Sequence, residues 1–390
     1  MDADLARWLV SADAAEALTQ AAAQPDPGSM AAATALRRHW TPGQAAAVLT
    51  QAELRRRAVT KFGEAAARLF FTRDALEQAT RADVARWRAE RFRDAGATAV
   101  VDLGCGIGAD ALALAAAGLR VVAVEFDPAT AVLAAANLGD AGSVVCGDAV
   151  ELAADLLAGG AAVFADPARR TASGRTWRVA DLTPSWDFVT GLLPGRTGCI
   201  KAAPGLPSNV IPDGVATTWV SHRGDLVEAS LWSGPWPAGS RTAVLLPSGQ
   251  ELDAGERRDP PVGPVGRYLY EPDPAVIRAG ALAALAEALG ASSPQAGIAY
   301  LCADTLRPTP FATVFEVLQE LPFDERALRR WVHEHGVGTL EIKVRGMDVD
   351  PAVLRRRLKP AGNGSATLVL TPTTAGARAL VARRVGSGPG

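Results

Sequence analysis

The chain has little of what most often marks a chemical site. Its 390 residues include four cysteines, four histidines, three tyrosines and three methionines. Cys105, Cys146, Cys199 and Cys302 stand singly with no CxxC pair, which argues against a disulfide framework and against a cysteine-rich zinc site. His333-Glu334-His335 is spaced by two, so on a helix its rings point to different faces. Its place just before Gly336 suits a helix C-terminus, where the dipole favours cations, and no metal is expected. No run of about 18 apolar residues is present, so no membrane span is expected. The opening residues MDADLARW carry acids where a secretory signal would carry positive charge, which gives a cytoplasmic expectation. An excess of one charge is missing too: Lys+Arg 40 against Asp+Glu 42 leaves −2, so a nucleic-acid partner would have to meet a local patch.

What is present is an ordinary globular composition, 48% hydrophobic and 21% charged, over a length that divides into two or three domains. Residues 1–95 are rich in Ala, Leu, Glu and Arg, with apolar positions recurring at three and four, and predict a helical region broken at Pro25-Asp26-Pro27-Gly28 and Thr41-Pro42-Gly43. From about Thr98 to Leu252, β-branched runs alternate with Ala-rich stretches, which implies βαβ units and a doubly wound, largely parallel Rossmann-like sheet in a domain spanning 96–253. Residues 254–311 read as a linker, GERRDPPVGPVGRYLYEPDP, followed by a helical segment from about Pro274 to Leu289, with the alternative that they belong to an α+β unit. In 312–390, ATVFEVL, GTLEIKV and ATLVLT alternate with two helical stretches, as in a small ferredoxin-like α+β unit.

The most informative motif is VVDLGCGIGAD, residues 100–110. An apolar strand ends in Asp102, and Gly104, Gly106 and Gly108 make a turn whose missing Cβ atoms let backbone approach a ligand before a helix starts. Gly104, Gly106 and Ala109 also satisfy the dinucleotide fingerprint, with Glu125 about 20 residues on. Three features favour S-adenosylmethionine over NAD. Asp102 can meet an ammonium group but would oppose a pyrophosphate. Asp148, in VVCGDA, stands at a third strand end suited to the adenine amine. The fourth strand ends in ADPARR, which a nicotinamide site does not require.

With these motifs the chain, over residues 70–201, resembles the class I S-adenosylmethionine-dependent methyltransferases. The resemblance implies that Glu125 accepts both ribose hydroxyls, that Phe126 packs on the adenine, and that Asp148 and Ala149 meet its edge. FFTRDALEQATRADVARWRAERF is similar to the lead-in helix of trimethylguanosine-synthase-like RNA methyltransferases, where a Thr-containing turn closes over the cofactor. Thr80 is the counterpart here, unless it only N-caps the helix near Asp83. The C-terminal unit is similar to a THUMP-like domain, a fold associated with RNA binding, which makes structured RNA the expected partner.

In amine-methylating relatives the fourth strand ends in Asp/Asn/Ser-Pro-Pro-aromatic. Asp166 and Pro167 match the first half, and Ala168 and Arg169 replace the second. Stacking on a base then falls to Arg169 or to Trp177, or Arg169 and Arg170 hold a phosphate. The plain alternative is that Asp166 caps a turn and the arginines are solvated. Cys199 reads as a core residue, and Lys201 and Pro204 follow where the fifth strand opens toward the cleft. Two basic clusters, Arg55-Arg56-Arg57 with Lys61 and Arg355-Arg356-Arg357 with Lys359, are candidates for RNA phosphates. The leading expectation is an RNA methyltransferase acting on a base or amino nitrogen. Its rivals are a small-molecule or protein methyltransferase and a non-catalytic RNA-binding protein that keeps the cofactor pocket.

Overall fold

In a computed structural model of the chain, residues 1–169 and 181–386 are described. It divides into two compact units, residues 1–217 with 228–239 and residues 218–227 with 240–390.

The first unit begins with helices α1 (Ala3–Val10), α2 (Ala15–Ala22), α3 (Met30–Leu36), α4 (Pro42–Phe62), α5 (Arg73–Gln78) and α6 (Ala82–Asp94). The Thr41-Pro42-Gly43 break is the start of α4. Thr41 and Gln44 form a reciprocal capping box, and Pro42 sits in the first turn, where its missing N–H costs nothing. These helices share a core with the sheet domain: Ala6, Leu9, Val48 and Leu49 pack with Ala129 and Leu133. Asn137 adds a polar tie, accepting from Phe70 N at 2.7 Å and donating to the carbonyls of Phe70 at 2.9 Å and Ile107 at 3.0 Å.

Strands β1 (Ala99–Leu103), β2 (Arg120–Glu125), β3 (Ser143–Cys146) and β4 (Ala162–Ala165) alternate with helices α7 (Ala109–Ala116), α8 (Pro128–Leu138) and α9 (Ala149–Leu157). A two-residue pair follows, β5 (Ala168–Arg169) with β6 (Leu182–Thr183), then α10 (Trp186–Gly191), β7 (Gly198–Ala202), β8 (Ala216–His222) and β9 (Asp225–Ser233). The order across this unit is β3-β2-β1-β4-β7-β9, parallel except that β9 runs antiparallel to β7. The order reverses between β1 and β4, which opens a crevice at the carboxyl ends of the strands. The expected βα alternation stops at β7. The β-rich stretch beyond it, through β10 (Arg241–Leu246) and β11 (Gln250–Asp253), is strand after strand, because short turns rather than Ala-rich segments separate its apolar runs.

In the second unit, β12 (Tyr268–Pro272) lies inside the stretch read as a linker. It pairs on both sides, with β13 (Leu301–Ala303) and β14 (Ala312–Pro322). The helix expected over Pro274–Leu289 is two, α11 (Pro274–Ala279) and α12 (Leu282–Leu289), parted by Gly280 in the left-handed region. After β14 come α13 (Glu325–Glu334), β15 (Val337–Val344), α14 (Pro351–Leu358), β16 (Gly364–Thr373) and β17 (Gly376–Arg384) in an α+β sheet of order β13-β12-β14-β17-β16-β15. Leu328, Trp331 and Leu354 of the two helices pack on Leu340, Leu368 and Val381 of one sheet face.

Candidate functional site

The strand ends concentrate the chemistry. Asp102 is the penultimate residue of β1, Glu125 ends β2, Asp148 follows β3, Asp166 follows β4, and Lys201 lies near the end of β7. A cleft of about 730 Å³ is lined by Thr80, Asp102, Glu125, Phe126, Asp148 and Asp166, together with the glycine turn. Within that turn Gly104 has φ +88° and Gly106 φ +57°, both in the left-handed region. A Cβ on Gly106 would meet nothing within 4 Å, so the space above it is open. Glu125 fastens the turn: its Oε2 accepts from Gly106 N and its Oε1 from Asp127 N, each at 2.9 Å. Burial raises the Glu125 pKa against these two bonds.

Beside the turn, Phe126 is 72% exposed, an unusual position for a large aromatic, and Ala149 is buried. Asp148 caps α9 by accepting from Val150 N at 2.8 Å. Thr80 does not cap α6. That place falls to Arg81, which makes no side-chain cap bond, while the Thr80 hydroxyl donates to Asp110 Oδ2 at 2.6 Å and accepts from Lys201 Nζ at 3.1 Å.

Behind the cleft runs a buried polar chain that the sequence motifs did not announce. Arg88, wholly buried, donates through Nε to Asp110 Oδ1 at 2.9 Å and through both terminal nitrogens to Glu228, at 2.9 and 3.0 Å. Ser230 joins Glu228 at 2.8 Å, and the guanidinium lies 4.7 Å over the Phe164 ring. Lys201 Nζ, bonded to Thr80, also donates to Asp166 Oδ2 at 2.6 Å. One signal of this arrangement was visible. Val84, Arg88 and Phe92 recur every four residues, so Arg88 stands on the buried stripe of α6, where a charge needs partners. Asp166 is thus an ion-pair partner of Lys201.

Among the described residues, the acids gathered here, Asp102, Asp110, Asp166 and Glu228, share two cations, Arg88 and Lys201. Asp102 is fully buried, and neither of its carboxylate oxygens has a hydrogen-bond partner. Burial first, then the neighbouring Asp110 and Asp166, push its pKa well above the ordinary carboxylate value. For Asp110, Arg88, Lys201 and the Thr80 hydroxyl outweigh burial and hold the pKa low. A buried acid without a partner, lining the cleft, fits a cationic group.

Other expectations are placed away from the reacting edge. Cys199 is buried in β7 with its thiol pushed up by burial to about 12, too high to supply a thiolate nucleophile. The Arg55–Lys61 cluster spends its donors on its own chain. Arg55 bonds the Leu69 carbonyl, Arg56 that of Pro25, and Lys61 Nζ gathers the carbonyls of Leu76, Glu77 and Ala79 at the end of α5. These bonds make the cluster a clamp on helix ends. His335 stacks on Trp331 at 4.3 Å. The Arg169 backbone pairs with Leu182, Pro167 is buried beside the cleft, and Arg170 and Trp177 lie outside the described residues.

Comparison with known proteins agrees with this geometry. Residues 101–157 match a methyltransferase domain family, 312–384 a THUMP domain-like family, and 2–58 a domain family of unknown function. An uncharacterised S-adenosylmethionine-dependent methyltransferase of Mycobacterium tuberculosis, from strains CDC 1551 and H37Rv, is 37% identical over 338 residues, spanning 83% of this chain and 91% of the relative. The chain is a member of the S-adenosylmethionine-dependent methyltransferases. Its fold is shared by a solved candidate methyltransferase from Porphyromonas gingivalis W83, with a TM-score of 0.80, 23% identity, and coverage of 99% of this chain and 100% of that one. The methyltransferase therefore takes S-adenosylmethionine as cofactor and carries a THUMP-like domain at its C-terminal end. Among the described residues, no helix of the methyltransferase is long and apolar enough to cross a membrane.

Proposed function

We propose that this methyltransferase modifies a base or amino nitrogen of RNA, with its THUMP-like domain holding the RNA. The observation that carries the reading is the outer face of α13 and α14. Arg326, Arg329, Arg330 and Lys359 are exposed there and make no ion pair among the described residues. Sites for phosphates are supplied where a folded domain leaves a row of cations unneutralised.

In this reading the unpartnered Asp102 takes the ammonium of the cofactor, and Glu125 exchanges its turn bonds for the ribose hydroxyls. Phe126, Asp148 and Ala149 receive the adenine, while Gly104, Gly106 and Gly108 admit the chain between them and Thr80 closes the near side. When bound, S-adenosylmethionine supplies an electrophilic methyl carbon and a neutral thioether leaving group. The protein's work is then alignment and exclusion of water. Asp166 and the Pro167 carbonyl accept the N–H bonds of the acceptor and aim its lone pair. Asp166 or solvent receives the proton that the nitrogen sheds once it is methylated. Arg169, two residues beyond Pro167, is the candidate to stack on the base or hold a phosphate.

The test is transfer of a radiolabelled methyl group into total RNA from a strain lacking the gene, followed by mass spectrometry of the nucleosides. A single modified nucleoside restored by the wild-type protein is expected. No incorporation by protein whose cofactor binding is verified refutes the RNA reading and leaves a small-molecule or protein acceptor.

A further inference from the structure

The pairing of Asp166 with Lys201 adds something to that reading, on whose placement of Asp166 at the acceptor it rests. We infer that Lys201 is a positioning residue that holds Asp166 in one orientation as a hydrogen-bond acceptor and ties it, through Thr80, to the cofactor side of the cleft.

The geometry leaves Lys201 few other roles. Its side chain is 16% exposed and rises from β7, the strand beside β4. Nζ donates to Asp166 Oδ2 at 2.6 Å and to Thr80 Oγ1 at 3.1 Å. Asp166 and Thr80 both line the cleft. One ammonium therefore bridges the residue that meets the acceptor and the residue that closes on the cofactor. Thr80 in turn donates to Asp110, which Arg88 anchors, so the bridge ends on a rigid buried ion pair. A carboxylate with one oxygen committed to a fixed ammonium has one oxygen left for the acceptor, and its rotation is stopped.

The same pair sets which acceptors suit the site. A carboxylate paired with its own lysine favours a neutral N–H or O–H donor over an anionic nucleophile. This accounts for how the chain can dispense with the second proline and the aromatic of the amine-methylating pattern. Orientation that stacking gives elsewhere comes here from a salt bridge behind the acceptor carboxylate.

Among the described residues, the charged groups facing Asp166 are Lys201 on β7, Asp102 on β1, Asp110 on α7 and Arg88 on α6. Burial raises the Asp166 pKa, and Lys201 supplies the largest opposing pull. Removing the ammonium lifts it further, so the rate of a K201M variant should fall with an acid limb moved to higher pH.

The experiment measures initial rates of radiolabelled methyl transfer into RNA from the gene-deleted strain, across pH, for wild type, K201M, K201R, D166N and the double variant D166N/K201M. Cofactor affinity is measured alongside by calorimetry. The inference expects K201M to lose on the order of 100-fold in rate, the loss that about 1 Å of misplacement at a reacting centre can cause. Cofactor affinity should change little, the acid limb should shift upward, and K201R should recover most of the rate. In the D166N background, K201M should cost less than about threefold, because coupled residues are not additive. The double variant carries no buried charge at either position, so it also tests folding. Independent, multiplying losses in D166N and K201M, or a K201M rate loss with an unmoved acid limb, overturn the inference while leaving Asp166 in place. Full activity in D166N overturns the reading of Asp166 itself and the inference with it.

Discussion

Replacing Asp102 with asparagine changes almost no volume and removes one ionisation, and its effect should have opposite signs with and without cofactor. In the free protein both Asp102 oxygens are buried without partners, and its pKa is raised well above the ordinary value. The folded protein then keeps a proton that the unfolded chain has already released. Stability from this site is complete in acid and is lost as pH rises from the unfolded carboxylate pKa through the folded one. Within that window the loss is about 1.4 kcal/mol per pH unit. For a domain of this size that lowers the melting temperature by about 2–4 °C per kcal/mol. D102N lacks the ionisation, so its melting temperature should fall less steeply as pH rises above the unfolded carboxylate pKa and exceed that of wild type at the upper end of that rise. With cofactor the order reverses. D102N loses a charge-assisted hydrogen bond in a buried site, which costs about 2–5 kcal/mol of affinity. Wild type should also release up to about one proton on binding, because a neighbouring ammonium lowers the Asp102 pKa. Calorimetry in buffers of different ionisation enthalpy reads that proton, and thermal scans read the stability. Parallel melting curves at every pH, together with equal proton release in wild type and D102N, would refute the reasoning.

Three further outcomes follow from the same structure. F126A removes an aromatic that is 72% exposed, so the cofactor-free melting temperature should hold while affinity drops by about 1–3 kcal/mol as the stacking disappears, checked by calorimetry. R88M leaves Glu228 and Asp110 buried without their cation and should destabilise by about 3–5 kcal/mol in urea unfolding. R88K should not restore it, because an ammonium cannot reproduce the two-pronged bond to Glu228. Replacing Arg326, Arg329 and Arg330 with glutamine should weaken RNA binding and reduce the slope of log affinity against log salt by about 0.7–0.9 for each phosphate no longer neutralised, measured by filter binding across salt. An unchanged slope would remove α13 from the RNA surface.

Legibility followed how local each feature is. The glycine turn, the carboxylates at the strand ends and the Asp166-Pro167 step could be read because each is a short motif next to an apolar run, and a strand places its last residues predictably. The C-terminal α+β unit was readable from alternation in three of its strands. β17, β12 and β13 were missed because GARALVARR is flanked by arginines and YLYEP is embedded in Pro- and Gly-rich sequence. The fate of the two arginine clusters depended on what each could reach. Arg56 found the open carbonyls near Pro25 and Lys61 those ending α5, while Arg355 found the Leu340 carbonyl and Arg357 the Glu325 carboxylate.

By itself the sequence determined the cofactor class and which residues stand at the strand ends, because backbone freedom at glycine and the two-residue period of a strand are properties of neighbours in the chain. Only the tertiary structure decided what lies behind Asp166. Arg88, Asp110, Lys201 and Glu228 come from a helix before the sheet, the first crossover helix and two late strands. They are up to 140 positions apart, and nothing local couples them. They meet because a buried charge is tolerable only against an opposite one, and folding is what brings those partners within reach.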